Sequence, residues 1–476
     1  MKKIHFVLFP IFIFLIGCTK QLDKVPENIL TELQVVQSAN TAASLLADAY
    51  WQSYLATRGF IYNAADIATG IDSVSPLNFY QTLWNGTILS NNDEISRFWN
   101  THYVAINEAN IIINRVPIDG NFDTALKKQY VAEAKFIRAY NYFELLKYFG
   151  DGALTGNLDG NGLPIVKTNF TGYNSNEIIP RSSCKDVYNF ILQDLESAAN
   201  DLKNGSNTNV FLFRGHAQKL ACYVLASRVA LYARNYTKTI EYANLCLNNL
   251  TSDYVLANSP LDVFPVNIGT TNLPINKEII FAFPVSYFIF DQSPPNDLLP
   301  NFYYNKSAVW PSKTFVNSYN INDIRKKNML VMGNPNINKT RFCPSKFANP
   351  TGVDNIPILR LAEVYLNAAE ALVKQSVSIN PTAISYLNLI HQRAFSAPKP
   401  PPFTVLDFST YNQLLDTILQ ERKFELAFES HNRFDNIRNN KSVNPTLDAD
   451  KRKYVWPIPK REVDLSNNII SQNPSY

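Results

Sequence analysis

The chain has 476 residues, a formal net charge of +4 at pH 7 and 46% hydrophobic residues. A nearly neutral chain of this length has no general attraction for nucleic acid, so a nucleic-acid partner is not expected. The hydrophobic content suffices for a large core. None of the five cysteines belongs to a Cys-x-x-Cys pair, which argues against a zinc site.

The N-terminus has the pattern of an export signal. Two lysines precede an apolar run from Ile4 to Ile16, which is shorter than the roughly 20 residues that a membrane-spanning helix needs. Residues 1–17 are therefore predicted to be a signal peptide. The sequence Leu-Ile-Gly-Cys that ends at Cys18 resembles the lipobox of bacterial lipoproteins, and this resemblance implies that Cys18 is acylated. Residues 18–37 would then be the lipidated N-terminus and a spacer; the alternative is an ordinary signal peptide with a chance cysteine.

Helical periodicity recurs along most of the remaining chain. Apolar residues spaced by three and four predict helices over about 40–57, 93–115, 124–148, 184–203, 215–234, 237–250, 358–375, 381–394 and 410–430. The stretch 215–250 carries alanines spaced for close helix contact and resembles a tetratricopeptide repeat of about 34 residues, without the diagnostic Trp and Pro. We predict a mainly all-α fold, a tetratricopeptide-like superhelix of degenerate repeats. Residues 38–250 and 251–476 are its two regions, integrated into one structural domain.

Two aromatic-rich segments interrupt the helical pattern. Residues 251–357 contain many Asn and Pro, and within them only 278–283 has the pattern of a strand. Residues 58–92 form the second irregular segment. Loops this long in a compact domain are usually functional or disordered, and their aromatic content argues against disorder.

The glycine-rich stretch 150–164 raises the question of calcium. Asp159 and Asn161 hint at a calcium loop, but no full ligand set with a closing Glu follows, so a surface turn is predicted. No cofactor is expected, and a structural calcium ion is left open. A disulfide among the remaining cysteines is also left open, because spacing does not reveal it.

The motifs of hydrolases and nucleotide-binding enzymes are missing from the sequence. There is no Gly-x-Ser-x-Gly, His-Glu-x-x-His or Gly-x-x-x-x-Gly-Lys, and the five histidines are scattered. Glu421 and Glu425 lie one helical turn apart and could meet the geometry of a glycosidase. Four arginines and lysines near them in sequence would hold both carboxylates ionised, which suits ion pairs better than acid catalysis. We predict that the protein is not an enzyme; a surface glycoside hydrolase using Glu421 and Glu425 is the alternative.

Several stretches, in order along the chain, resemble one family. They are QLDKVP after Cys18, AEAKFIRAYNYFELLKYFGDGAL, NKEIIFAFP, IPILRLAEVYLNAAEALVKQ, ILQERKFELAFESHNRFDNIR and YVWPIPKREVDLSNNIISQNPSY. Together they resemble the SusD/RagB family of outer-membrane nutrient-binding lipoproteins. One departure concerns the Glu-Gly-x-Arg that the family usually has before Phe434-Asp435. Here the residues from Glu429 are Glu-Ser-His-Asn, and the arginine follows at Arg433, which puts a local ion pair in doubt.

The resemblance implies a function as well as a fold. Family members capture glycans at the cell surface and pass them to a TonB-dependent outer-membrane transporter of the SusC type. We therefore expect a non-catalytic lipoprotein, lipid-anchored and surface-exposed on the outer membrane, that binds an oligosaccharide or, as a second choice, a peptide. An assembly scaffold without a small ligand is a further alternative. The family motifs mark the scaffold, so no ligand residue is carried over from them.

The ligand residues must instead be argued from chemistry. A pyranose ring stacks its apolar face on an aromatic ring, and its hydroxyls need polar side chains nearby. The two irregular segments supply that mixture, and the candidate ligand-binding residues are Tyr80, Trp84, Tyr287, Phe290, Tyr303, Tyr304 and Trp310. The alternative for each is a loop anchor packed on the superhelix, which is the better expectation for any one of them.

The C-terminal motifs have a structural interpretation. Arg360, Glu363, Asn367 and Glu370 recur at three and four, so they form one polar ridge on a helix. The helix that contains Glu421, Glu425 and Glu429 is predicted to be the partner of this ridge. The segment Trp-Pro-Ile-Pro at 456–459 cannot be helical and is expected to lie across the bundle.

Overall fold

The fold was obtained as a computed structural model. It describes residues 31–58, 60–74, 79–170, 172, 178–204, 210–264, 275–284, 303, 308–329, 331–332, 341–349 and 354–476, and Cys18 lies outside them. The helices of the N-terminal region are α1 (Glu32–Gln37), α2 (Ala39–Thr57), α3 (Phe60–Ala68), α4 (Phe79–Asn85), α5 (Asp93–Asp119), α6 (Thr124–Phe149), α7 (Cys184–Asp201), α8 (Val210–Gly215), α9 (Lys219–Tyr232) and α10 (Tyr236–Leu247).

The C-terminal region contains shorter elements and three long helices. Its helices are α11 (Pro260–Val263), α12 (Lys313–Ser318), α13 (Leu361–Ser376), α14 (Pro381–Arg393), α15 (Tyr411–Glu425), α16 (Asn432–Arg438), α17 (Pro445–Ala449) and α18 (Lys460–Leu465). The strands of the described chain are β1 (Asp72–Val74), β2 (Ile279–Phe283), β3 (Val309–Pro311), β4 (Val331–Met332), β5 (Phe342–Cys343) and β6 (Ile356–Arg360).

Successive helices pack on one another in chain order. Helix α5 packs on α2 and α6, α7 lies between α6 and α9, and α10 joins α9 to α13, which in turn packs on α14 and α15. Because each helix contacts mainly its neighbours in the series, the helices form the predicted repeat superhelix. Helix α6 is its centre, since its residues from 132 to 134 and from 136 to 149 are all buried. The predicted all-α fold is confirmed.

Capping residues set where these helices begin. Ser183 caps α7, Asn235 caps α10 and Asn380 caps α14, each with a side-chain oxygen that accepts a backbone N–H of the first turn. Asn235 lies at the turn between α9 and α10, and these two helices are the alanine-rich pair that the sequence predicts. The alanines Ala217, Ala221, Ala226, Ala230 and Ala243 are all buried. This pair therefore packs as the sequence predicts.

Three predicted boundaries differ from the structure. The helix expected from residue 358 begins at Leu361, because Ile356–Arg360 pairs with β2 as an antiparallel strand and Pro357 cannot donate a backbone hydrogen bond. The helix expected over 215–234 begins only at Lys219, after the separate short helix α8. The helix expected to reach residue 430 ends at Glu425, and Phe428 and Ser430 follow in the left-handed region.

The end of the predicted spacer is part of the folded body. Residues 32–37 form α1, which packs on α2 and α5. Thr31 and Gln34 cap it reciprocally, and Glu32 forms an ion pair with Arg115 at 3.0 Å. Any spacer after Cys18 is therefore shorter than the sequence indicated, because α1 is fixed to the superhelix.

The remaining scaffold predictions can be placed directly. Strand β2 confirms the strand expected at 278–283. Trp456 lies across the bundle. Its backbone N–H donates to the carbonyl oxygen of Tyr148 at 2.7 Å, and the ring centroids of the two residues are 4.0 Å apart. Asp159 lies in a turn, and Asn161 forms an isolated bridge with Ser183. The four cysteines of the described chain are buried and unbonded.

Candidate ligand-binding site

A short antiparallel pair brings together the two segments that the sequence predicted to be irregular. For residues 58–92 that prediction was wrong in part, because they contain helices α3 and α4. Strand β1 from the first segment pairs with β3 from the second, with Asp72 opposite Pro311 and Ser73 opposite Trp310. Two further hydrogen bonds extend the junction, from Ser312 N–H to the Ile71 carbonyl at 2.8 Å and from Ser312 Oγ to the Gly70 carbonyl at 2.6 Å. Residues that are more than 200 positions apart thus form one surface.

Trp310 lies on the open face of this strand pair. Its neighbours Val309 and Pro311 are buried, and side chains alternate along a strand, so the half-buried Trp310 faces the other way. The guanidinium of Arg341 covers one face of its ring, 3.7 Å from the ring centroid. Such cation–π contact fixes the orientation of the indole. Trp310 is therefore an oriented aromatic ring with an exposed part.

Trp84 is held at the base of the same junction. An added Cβ on Gly70 would come within 3.3 Å of the Trp84 ring, so the indole covers this glycine closely. The side-chain amide of Asn444 donates to the carbonyl oxygens of Ala68 and Trp84 at 2.8 and 3.1 Å. The ends of α3 and α4 are thereby tied to the C-terminal region. Trp84 is half-buried, which leaves part of its ring accessible.

Tyr303 corrects one of the sequence predictions. It is only 1% exposed, its hydroxyl donates to Asp72 Oδ2 at 2.7 Å, and its ring stacks on Phe347 at 5.8 Å. A side chain buried this completely anchors the loop and offers no stacking face to a ligand. Tyr287, Phe290, Tyr304 and the side chain of Tyr80 lie outside the described part of the chain.

The structure adds residues that the sequence did not single out. Arg341 immediately precedes β5, which pairs with β4 and lies beside β3. Met332 and Phe342 are opposite each other in that hairpin, and both are exposed. No periodicity or motif marks them, because their position depends on the contact between β5 and β3. Met332 and Phe342 are thus exposed apolar residues on strands close to the one that carries Trp310.

The described residues show neither a metal centre nor a membrane span. No group of three or more His, Cys, Asp and Glu side chains among them is arranged to hold a metal ion. Of the helices in the described ranges, none combines the length and apolar character needed to cross a bilayer.

Comparison with known proteins decides the family. Residues 21–231 match a family described as starch-binding and associating with the outer membrane, and residues 337–445 match the SusD family. Together the two matches cover more than half of the chain. The chain belongs to the SusD/RagB family.

Its relatives are distant but match over most of their length. A SusD-like protein P2 of Formosa agariphila is 24% identical over 100% of both chains, and a SusD-like protein of Bacteroides ovatus is 23% identical over 87% of this chain and 78% of its own. A SusD superfamily crystal structure from Bacteroides thetaiotaomicron superposes with a TM-score of 0.78 at 22% identity, covering 92% and 100% of the two chains. A SusD-like carbohydrate binding protein of Bacteroides vulgatus gives a TM-score of 0.69 at 21% identity, covering 86% and 84%.

The SusD/RagB motifs meet in a buried charge network. Arg360 contacts Glu278, Glu425 and Glu429 at 2.7–2.8 Å. Arg393 also pairs with Glu425, at 2.6 Å. Arg360 ends β6, Glu278 directly precedes β2, and Arg393 ends α14. Glu425 ends α15, and Glu429 follows it, so the network joins the family's C-terminal motifs to NKEIIFAFP. The predicted contact between the polar ridge and the α15 segment is confirmed.

Each of the other three residues of the ridge has its own arginine partner. Asn367 accepts a hydrogen bond from Arg422 of α15 at 2.6 Å, and Glu370 pairs with Arg438. Glu363 differs from the prediction, since it pairs at 2.5 Å with Arg228 of α9. The ridge of α13 therefore holds the repeat helices and the C-terminal helices together.

Glu421 and Glu425 are confirmed as structural ion pairs. Both are buried; Glu421 contacts Arg325 at 2.5 Å and His391 at 2.8 Å. Burial acts to raise the pKa of Glu425, but the neighbouring arginines, led by Arg393, outweigh it and hold that pKa well below its ordinary value. The pKa of Glu421 is lowered in the same way against its burial, mainly by Arg325. Neither carboxylate can serve as a protonated general acid.

The departure at residues 429–433 leaves the main ion pair intact. Glu429 still pairs with Arg360, and it also contacts Lys346. The shifted Arg433 instead donates to the Tyr454 carbonyl at 2.6 Å, which ties α16 to the C-terminal segment. Ser430 takes the place of the family's glycine with a φ of 64°, a conformation that glycine adopts more readily.

Proposed function

We propose that this protein is a non-catalytic surface lipoprotein that binds an oligosaccharide and delivers it to a SusC-type TonB-dependent transporter. The observation that carries the proposal is the partly exposed Trp310, oriented by Arg341 on a strand pair that unites both irregular segments. An oriented indole is the platform on which a sugar ring stacks, and the guanidinium beside it can donate to hydroxyls.

The relatives support the ligand class. One matching family is described as starch-binding, and one structural neighbour is described as carbohydrate binding. The buried ion pairs of Glu421 and Glu425 oppose the alternative of a glycoside hydrolase, because that chemistry needs one protonated carboxylic acid. Acylation of Cys18 would hold the protein at the outer membrane, where a transporter partner can receive the ligand.

Removal of the Trp310 ring tests the binding site. A glycan array on the chain lacking residues 1–18 identifies a bound oligosaccharide, and titration calorimetry then compares the wild type with Trp310→Ala. We expect Trp310→Ala to weaken binding about fivefold, because aromatic stacking contributes on the order of 1 kcal/mol. Phe170→Ala, which removes an exposed ring elsewhere on the surface, should leave the affinity unchanged. Equal affinities of Trp310→Ala and wild type would contradict this site and favour the scaffold alternative.

Two further measurements separate binding from hydrolysis and test delivery. Reducing-end detection should show no product from any bound glycan; a product that disappears in Glu425→Gln would establish the hydrolase instead. Cross-linking in intact cells, followed by mass spectrometry, should recover peptides of a TonB-dependent transporter. Cross-links to periplasmic or cytoplasmic proteins alone would contradict the proposed partner.

A further inference from the structure

A second concave surface lies in the C-terminal region. The end of α14, residues 395–403, α15 and residues 320–325 enclose an open cleft of about 470 Å³. This volume lies within the range of small-molecule sites, which is about 300–1,000 Å³. The residues that line the cleft include neither Trp84 nor Trp310. It is therefore a different surface from the β1–β3 junction.

Aromatic rings form the walls of the cleft. Phe395, Phe403 and Phe424 line it, and the imidazole of His391 lies 4.9 Å from the ring centroids of both Phe395 and Phe403. The polar residues of the rim are Asn320, Asp416, Thr417 and Gln420. Apolar faces flanked by hydroxyl, amide and carboxylate groups are the surroundings that a hydroxylated ring requires.

A hydrogen bond at the floor orients His391. The carboxylate of Glu421 accepts hydrogen bonds from Arg325 at 2.5 Å and from His391 Nδ1 at 2.8 Å. An ionised carboxylate can only accept, so Nδ1 carries the hydrogen. In the neutral ring, Nε2 is then an acceptor for a hydroxyl group, and it has no hydrogen-bond partner within the described ranges. The His391 side chain lines the cleft and is 17% exposed.

The aromatic walls beside His391 are fixed in place. The Phe403 N–H donates to Asn388 Oδ1, and Asn388 Nδ2 donates to the Phe403 carbonyl, both at 2.8 Å. Asp323 forms an antiparallel bridge with Phe395, and the Ile324 N–H donates to the Ala394 carbonyl at 2.9 Å. Both aromatic walls are therefore held by backbone hydrogen bonds before any ligand arrives, which lowers the entropy cost of binding.

The charges in the cleft limit what it can bind. Asp323, Asp416 and Glu421 contribute three carboxylates, whereas the cations beside them are Arg325, which lines the cleft, and Lys441, which pairs with Asp416 at 2.6 Å. Arg325 is already engaged by Asp323, Glu421 and Glu425. An anionic ligand such as a uronic acid or a sulfated sugar would meet this excess of negative charge. A neutral hydroxylated ligand meets no such repulsion.

We propose that this cleft is a second carbohydrate-binding site, for a neutral disaccharide or the end of a longer neutral glycan. One sugar ring stacks on Phe403, and a hydroxyl of the ligand donates to His391 Nε2. The rim amides and Thr417 supply the remaining hydrogen bonds. The inference rests on the proposed function only for the class of ligand, because the cleft's own residues supply the argument for its chemistry.

Histidine NMR on the purified mature chain in detergent tests the proposal. The His391 signal of ¹⁵N-histidine-labelled protein is assigned with His391→Gln, and maltose and cellobiose are titrated as neutral probes beside glucuronic acid. At least one disaccharide should shift the His391 signal, in wild type and in Trp310→Ala alike. Phe403→Ala should weaken this binding about five- to tenfold. Leu406→Ala, in the same loop and 92% exposed but outside the cleft, is the control and should leave it unchanged.

The outcomes distinguish the two sites. If neither disaccharide moves the His391 signal, or if glucuronic acid binds as tightly as the disaccharides, the second site is overturned. If Trp310→Ala abolishes all disaccharide binding, including the His391 shift, the second site is overturned while the proposed function stands. If Phe403→Ala loses the His391 shift and Trp310→Ala changes no affinity, the second site stands and the Trp310 site does not.

Discussion

Val377 ends helix α13 in a conformation that its side chain disfavours. It has a φ of 49°, in the left-handed region, where a β-branched residue is strained. Its side chain is 58% exposed, so little packing would be lost on its removal. Val377→Gly should therefore raise the free energy of unfolding by about 1 kcal/mol, measured in urea.

The matched control for this substitution is another exposed valine. Val405 begins a short 3-10 helix and does not have a positive φ. Val405→Gly should lower the free energy of unfolding, because glycine adds only freedom to the unfolded chain there. A loss of stability in both variants would contradict the strain at Val377.

Asp66 makes stability depend on pH. Burial raises its pKa from 3.8 to about 7, although Oδ2 accepts the Ser430 N–H at 3.2 Å. The folded state binds this proton more tightly than the unfolded state does. The stabilisation that the bound proton gives is therefore fully present below pH 3.8 and is lost as the pH rises through 7. Asp66→Asn cannot ionise and keeps an acceptor oxygen. Its stability relative to wild type should therefore increase by a few kcal/mol, on the order of 1.4 per pKa unit, between pH 4 and pH 8.

Urea unfolding at several pH values measures this difference. Asp464→Asn on the exposed face of α18 provides the comparison, since its carboxylate faces solvent beside Lys460. A stability difference between Asp66→Asn and wild type that stays constant over pH 4–8 would show that Asp66 does not titrate in the folded state.

The sequence predicted which aromatic residues lie at the β1–β3 junction, but not which of their side chains are exposed. The sequence placed Trp310 and Tyr303 together as candidate ligand residues, and both lie at the β1–β3 junction. Tyr303 is an anchor because its hydroxyl reaches Asp72, 231 positions away in the chain. No local pattern marks such a partner, so composition alone could not separate the anchor from the exposed ring.

At the scale of elements, Arg360 connects β6 with the start of β2 and with the end of α15. It stands at the junction of β6 and α13, and it neutralises Glu278, Glu425 and Glu429 in the buried network. Arg360→Met would leave these carboxylates with too few cations. The free energy of unfolding should fall by about 3–5 kcal/mol, measured by chemical denaturation.

An exposed arginine gives the matched control. Arg452 pairs with Asp450 at the surface, where its side chain is two-thirds exposed. Arg452→Met should change the free energy of unfolding by less than about 1 kcal/mol. Similar losses in Arg452→Met and Arg360→Met would mean that the buried network contributes no more than a surface pair.

Helix centres were predictable from the sequence, whereas several helix ends were not. The spacing of apolar residues by three and four predicts α5, α6 and α14 to within a few residues, because the apolar face of each helix depends only on its own residues. The start of α13 is different. Residues 356–360 become a strand only because β2, about 80 positions earlier, offers an antiparallel partner. Tertiary pairing of this kind overrides local periodicity.

At the scale of the whole molecule, the proposed N-terminal lipid anchor can be tested directly. Helix α1 packs on the body, and residues 19–30 lie between Cys18 and Thr31, the first residue that the structure describes. They can span at most about 40 Å when fully extended. Cys18→Ala should prevent acylation and move the protein from the membrane fraction to the soluble fraction of cells.

The other cysteines provide the control for this experiment. Cys246 is buried in α10 and unbonded, so Cys246→Ala should leave the protein in the membrane fraction. Full membrane attachment of Cys18→Ala, detected by fractionation and immunoblotting, would contradict the lipid anchor.

The pairing of β1 with β3 also has a consequence for how the protein matures. Residues 72–74 and 309–311 are more than 200 positions apart, and contacts so distant in sequence are slow to form during folding. We therefore expect the junction that carries Trp310 to be among the last features to be completed. An unfinished or proteolytically clipped copy could reach the membrane through its N-terminus and still be unable to recognise a ligand. If Trp310 binds the ligand as proposed, ligand capture would report that the β1–β3 junction has formed.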